Sequence, residues 1–94
     1  MFNPLEIRSL WEKMEKEGVP NSRFVITFLF TEWVVNKFPN GISLSDLYLV
    51  MPKLFQSLRD VTTTNGSVRE VHAAASALVK AKRVSAVNDF LYPA

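Results

Sequence analysis

The sequence SVREVHAAASALVKAKRVSAVNDFLY, residues 67–92, decides the fold more than any other stretch of this chain. Its first part is rich in alanine, which favours a helix, and it ends in the cationic run Lys80-Ala81-Lys82-Arg83. Its second part has a short apolar run on either side of Asn88-Asp89, a dipeptide typical of a turn. The stretch therefore predicts a helix that ends in positive charge, followed by a β-hairpin.

The predicted helix begins with a capping box. Ser67 can accept a hydrogen bond from the backbone three residues later, and Glu70 can reach back to the amide of Ser67. The stripe expected to be buried consists of Val68, Val71, Ala75, Leu78 and Val79. Steps of three and four residues place a different set on another face: Arg69, Ala73, Ser76, Lys80 and Arg83. Small side chains flanked by long cations would let this face approach a DNA groove, or let it pack closely on another helix.

The sequence near the N-terminus predicts a first helix from about Pro4 to Glu17. Asn3 is a preferred N-cap residue, and proline is favoured at the first helical position. Gly18 is typical of a helix stop. One apolar stripe runs along this helix: Ile7, Leu10, Trp11 and Met14.

The second segment, Arg23 to Phe38, is apolar on nearly every side. Its β-branched and aromatic residues favour strands, whereas its length, without an internal hairpin signal, favours one helix. We interpret it as a helix. Such a helix must be surrounded by the rest of the chain or present one face to a partner, so a homodimer interface is one expectation.

The third segment is predicted to begin after Ser43 as a helix over Leu44 to Met51. Pro52 would cost about 3 kcal/mol inside a helix, so a break is expected there, with a second short helix reaching Leu58. Val61 to Gly66 is predicted to be a loop, because it holds three threonines and an Asn-Gly turn signal.

Length and composition predict one domain over residues 1–94. The chain has no cysteine, which excludes disulfides and thiolate zinc sites. Neither a signal peptide at the N-terminus nor the run of about 20 apolar residues that spans a membrane is visible. These observations lead us to expect a cytoplasmic protein that does not enter membranes.

Catalytic motifs are not visible in the sequence. The single histidine, His72, lies in the alanine-rich helix without a motif around it, and there is no phosphate-binding glycine loop or HExxH sequence. We therefore expect no enzyme activity, no metal and no cofactor. The net charge of +2 is small, but positive charge gathers in the last third of the chain, where a polyanion would be expected to bind.

The order of predicted elements resembles a winged helix-turn-helix domain. Residues 22–92 would form its core, with residues 1–18 as an N-terminal helical extension. Ile42-Ser43 would be its short first strand, Ser67 to Lys82 its recognition helix, and Val84 to Tyr92 its wing. The phrase ALVKAKRV, residues 77–84, resembles the junction between recognition helix and strand in that family. The fold class expected is mainly α, a bundle of four to five helices with a small C-terminal β-hairpin.

Two functions follow as expectations. The first is a regulator of transcription that binds duplex DNA. Its contacts with the DNA would come from Arg69, Ser76, Lys80, Lys82 and Arg83. The alternative is a protein-protein interaction module, an adaptor or inhibitor, that does not bind nucleic acid. Candidate interface residues for such a protein partner, or for a homodimer, are Phe28, Trp33, Phe90 and Tyr92.

Overall fold

Four helices and three short strands make up residues 2–94, the part of the chain that this computed structural model describes. They are α1 (Pro4–Lys16), α2 (Arg23–Asn36), β1 (Ile42–Ser43), α3 (Leu44–Gln56), α4 (Val68–Lys80), β2 (Val84–Val87) and β3 (Phe90–Pro93). The mainly helical fold class is confirmed, and the C-terminal hairpin forms as predicted. The hairpin is joined by β1 into one antiparallel sheet.

The sheet has the order β1-β3-β2, so the last strand lies in the middle. Ile42 of β1 pairs with Leu91 of β3, and both side chains are buried. The hairpin turns at Asn88, which has a left-handed backbone with a φ of 54°. The amide of Leu44, the first residue of α3, donates to the carbonyl of Asp89 at 2.8 Å. This bond ties the hairpin turn to the start of α3.

A single cluster of buried apolar side chains connects the helices to the sheet. The first helix belongs to it, because Ile7, Trp11 and Met14 are buried there. Its predicted N-cap is confirmed, since the Asn3 side chain accepts from the amide of Leu5 at 2.9 Å. Residues 1–18 were expected as an extension; within the described part, α1 supplies one wall of the common core.

The second segment is one helix, as interpreted from its sequence. Its residues Ile26, Phe30, Val34 and Val35 are at most 1% exposed, so α2 is the central helix of the molecule. The ring of Phe30 packs edge to face on Phe55 of α3, with centroids 5.2 Å apart. Other elements of the same chain therefore cover most of the apolar surface of α2.

The predicted break at Pro52 is wrong, because α3 runs without interruption from Leu44 to Gln56. Pro52 lies on the exposed side of the helix, where water can bind the carbonyl that loses its amide partner. The neighbouring turns are fixed by Met51 and Phe55, which are fully buried. Burial of these two side chains outweighs the cost of the proline. Residues 2–94 therefore contain four helices, the lower of the two numbers expected.

The predicted loop between α3 and α4 is confirmed, and it is anchored to the core. The hydroxyls of Thr27 and Thr64 form a buried hydrogen bond of 2.7 Å between α2 and the loop. Gly66 has a φ of 66°, and a Cβ there would lie 2.8 Å from the backbone C and O of Met51. Only glycine allows the loop to approach α3 this closely.

Both bonds of the predicted capping box at Ser67 and Glu70 are present at the start of α4. The predicted buried stripe is wrong at two positions, because Val68 is 56% exposed and Val79 is 37% exposed. Ala74 is fully buried instead. The buried residues of α4 are Val71, Ala74, Ala75 and Leu78, which recur at steps of three, one and three residues and so form one stripe, with Val68 and Val79 at its edge. The helix also ends at Lys80, two residues before the predicted end.

Candidate nucleic-acid interface

The exposed face of α4 gathers three of the five residues predicted to contact DNA. Arg69, Ser76 and Lys80 are exposed and, by their spacing, share one side of the helix with the exposed Ala73. The rise of about 1.5 Å per residue separates Arg69 from Lys80 by about 16 Å along the axis. We call the face formed by Arg69, Ala73, Ser76 and Lys80, together with Lys82, the cationic face.

The charges of the cationic face have no carboxylate partner among residues 2–94. The described part of the chain contains three ion pairs, which join Arg8 to Asp60, Lys37 to Glu6, and Arg83 to Glu32. None of them involves Arg69, Lys80 or Lys82. The positive charge of this face is therefore not neutralised by a nearby acid of the same chain.

Lys82 lies immediately after α4, in a conformation that is unusual for lysine. Its φ of 60° lies in the left-handed region, which glycine occupies at most helix ends of this kind. The amide of Lys82 donates to Val79 at 3.0 Å, and the amide of Arg83 donates to Leu78 at 2.9 Å. These two bonds form a Schellman motif, which turns the chain toward β2 and leaves the lysine side chain exposed.

Arg83 is the one predicted DNA contact that the structure turns toward the protein itself. Its guanidinium donates to both carboxylate oxygens of Glu32 on α2, each at 2.6 Å. Its central carbon lies 5.2 Å from the centre of the Phe28 ring. The hydrogen bonds that Arg83 donates to the Glu32 carboxylate raise the pKa of Arg83. Arg83 thus connects the exit of α4 to α2.

The predicted interface aromatics on α2 are half-buried and partly covered by the chain's own cations. Phe28 packs against Arg83, as described above, and Trp33 has the Lys37 ammonium 4.9 Å from its ring centre. Phe2 covers a further part of Trp33, with ring centroids 5.4 Å apart. The exposed aromatic on this helix is Phe24, at 49%.

The two predicted interface aromatics on β3 lie on one side of the strand. Phe90 is 44% exposed, and its ring lies 6.4 Å from that of the half-buried Tyr92. Tyr92 packs over Gly41, where a Cβ would come within 2.5 Å of the ring. Among residues 2–94, no aromatic ring pair joins Phe90 or Tyr92 to Phe28 or Trp33.

A groove of about 600 Å³ lies between α1, β1, α3 and the hairpin. We call it the α3 groove. Its apolar wall includes Phe2, Phe38, Ile42, Leu49, Val50 and Phe90. Leu49 is 64% exposed. No local pattern could have predicted this groove, because its walls come from separate parts of the chain.

His72 also lies on the exposed side of α4, where its Nδ1 is 3.4 Å from the hydroxyl of Tyr48 on α3.

Among residues 2–94 there is no group of three or more histidine, aspartate or glutamate side chains placed to bind a metal ion. No helix in this part of the chain has the length and hydropathy needed to cross a bilayer.

Comparisons of the chain with protein-family models, with curated proteins and with solved structures give no match.

Proposed function

We propose that this chain is a small DNA-binding regulatory protein in which α4 enters the major groove. The observation that supports it most is the cationic face, where Arg69 and Lys80 flank Ala73 and Ser76 on one exposed side of α4. Small residues at the centre of a helix face let the backbone come close to base edges, while longer cations reach the phosphates on either side.

The order of elements supports the same proposal. From residue 22 onward the chain runs through a helix, a two-residue strand, two helices and a hairpin, and the first strand joins the hairpin. This order resembles a winged helix-turn-helix domain, in which the helix before the hairpin is the recognition helix. In this chain that position is occupied by α4.

The contacts are proposed for α4 and its exit, and not for the tip of the hairpin. The turn residues Asn88 and Asp89 are exposed and carry one negative charge, which phosphates would repel. Phosphate contacts are assigned to Arg69, Lys80 and Lys82, and Ser76 is assigned to hydrogen bonds at the floor of the groove. Arg83 contributes by holding the exit of α4 against Glu32.

Fluorescence anisotropy with generic duplex DNA, measured over a series of salt concentrations, tests the proposal. Binding should weaken as salt rises, because each phosphate contact releases counterions. Replacing Lys80 and Lys82 together by alanine should reduce the slope of log K against log salt by about 2. A control variant with alanine at Lys13 and Lys16 removes the same charge from exposed positions of α1 and should keep the wild-type slope.

Two results would contradict the proposal. One is an absence of DNA binding by the wild-type protein even at low salt, which would favour the protein-interaction module instead. The other is an equal loss of slope in the α4 and α1 variants, which would show that binding depends on total charge and not on the cationic face.

A further inference from the structure

One side of α3 carries a short pattern that is symmetric about its centre, in which Asp46, Leu49 and Lys53 are exposed and Val50 is half-buried. Asp46, Leu49, Val50 and Lys53 recur at steps of three, one and three residues, so they form one stripe on the helix. All four line the α3 groove. The stripe has an acid at one end, a base at the other, and two apolar residues between them.

We propose that a second copy of this chain binds at the α3 groove, with the two α3 helices antiparallel across a two-fold axis. An axis between Leu49 and Val50 places each Leu49 against the Val50 of the other copy. The same axis places each Asp46 opposite the other copy's Lys53. Such self-complementarity is what a two-fold interface requires, because the same surface must fit itself.

The charges argue for a second copy as the occupant. Asp46 and Lys53 are exposed, and neither takes part in the ion pairs found within residues 2–94. Seven residues separate them, which corresponds to about 10 Å along the helix. A surface that pairs with both charges presents a base and an acid at the same spacing in the opposite direction, and the antiparallel α3 of another copy does so.

The apolar centre of the stripe supplies the surface that association would bury. Leu49 is 64% exposed, although it lies in the middle of a helix whose other face is in the core. The groove beside it continues to Phe90, which is 44% exposed. Exposed apolar surface of this kind, with a polar rim, is typical of an interaction site.

This interface is separate from the proposed DNA contact. Tyr48, on the other side of α3, faces His72 of α4, so the dimer contact leaves the cationic face uncovered. The inference is therefore independent of the proposed function. Its test uses no DNA and no change in α4, so that failure of either one can be recognised separately.

Analytical ultracentrifugation over a range of protein concentrations measures the dimer. Replacing Leu49 by glutamate should raise the dissociation constant by about 30-fold or more, because it places two buried charges at the centre of the contact. Phe24→Glu, at an exposed apolar position of α2 outside the groove, is the matched control and should leave the constant unchanged.

A charge exchange tests the orientation of the two helices. Asp46→Lys and Lys53→Asp should each weaken the dimer, because each variant brings like charges together at both ends of the contact. The double variant D46K/K53D restores opposite charges and should recover wild-type association. Thermal unfolding of each variant at a concentration below dimerisation checks that the monomer is folded.

Three results would overturn the inference: a wild-type protein that is monomeric throughout, an L49E variant that dimerises as well as wild type, or loss of the dimer in F24E alone. Failure of the double variant to recover, when both single variants weaken the dimer and remain folded, would overturn the antiparallel arrangement.

Discussion

The two ends of α4 have the same unusual backbone conformation next to them, but different residues. Gly66, before the helix, has a φ of 66° and is buried against the backbone of Met51. Lys82, after the helix, has a φ of 60° and is exposed. At position 66 only glycine fits, because the backbone of Met51 is close. At position 82 the side chain is exposed, so a lysine is accommodated in spite of the left-handed backbone strain, and the chain keeps a positive charge at the exit of α4.

The N-terminal end therefore fixes the position of α4, whereas the C-terminal end carries charge at some expense of stability. Substitutions at the two ends should therefore change the free energy of unfolding by different amounts and with opposite signs.

Gly66→Ala is expected to have the largest effect, a loss of about 3 kcal/mol in the free energy of unfolding, from left-handed strain and overpacking. Urea denaturation measures it. Gly18→Ala is the matched control, because Gly18 has a φ of 77° but a Cβ there meets nothing within 4 Å. The control should lose only the conformational part, about 1 kcal/mol. Equal losses in the two variants would contradict the close contact with Met51.

Arg83→Ala should cost about 1 kcal/mol, since it removes a bidentate ion pair and a guanidinium-ring contact from a partly exposed site. Glu32, whose side chain is 18% exposed, would lose the ion pair that it makes within residues 2–94. Lys80→Ala provides the comparison, because Lys80 is exposed and takes part in none of the described ion pairs. We expect its unfolding free energy to stay within about 0.5 kcal/mol of wild type. If both variants lose the same stability, the Glu32 contact does not support the exit of α4.

Lys82→Gly should have the smallest effect and the opposite sign, raising stability by up to about 1 kcal/mol because glycine relieves the left-handed strain. Lys80→Gly is the control within the helix and should lose about 0.5–1 kcal/mol.

Both variants remove one cation from the proposed DNA contact. Each should therefore reduce the salt slope of DNA binding by about 1. Thermal unfolding and anisotropy together separate the two effects, and a loss of stability in Lys82→Gly would contradict the strain at this position.

Local signals in the sequence were sufficient for the starts of α1 and α4 and for the hairpin. Asn3 and Ser67 cap the helices that they were predicted to cap, and the turn at Asn88 forms. These features depend on residues only a few positions apart, so the sequence contains all of the relevant chemistry.

Features that depend on distant partners were not predictable. Arg83 and Glu32 are 51 positions apart, and the buried pair of Thr27 and Thr64 is 37 positions apart. No pattern in either neighbourhood indicates the other residue. The continuous helix through Pro52 depends on distant partners in the same way, because the burial of Met51 and Phe55 that opposes the local cost of proline arises only in the folded core. The candidate site was accordingly predictable in its charge but not in the direction of Arg83.

The bond between the amide of Leu44 and the carbonyl of Asp89 has a consequence for how binding events communicate. It joins the hairpin turn to the first turn of α3, the helix that lines the α3 groove, and Phe90 of the hairpin lines the same groove. Any ligand that displaces the hairpin must therefore alter the groove. By thermodynamic reciprocity, a molecule bound in the groove changes the affinity of that ligand by the same factor.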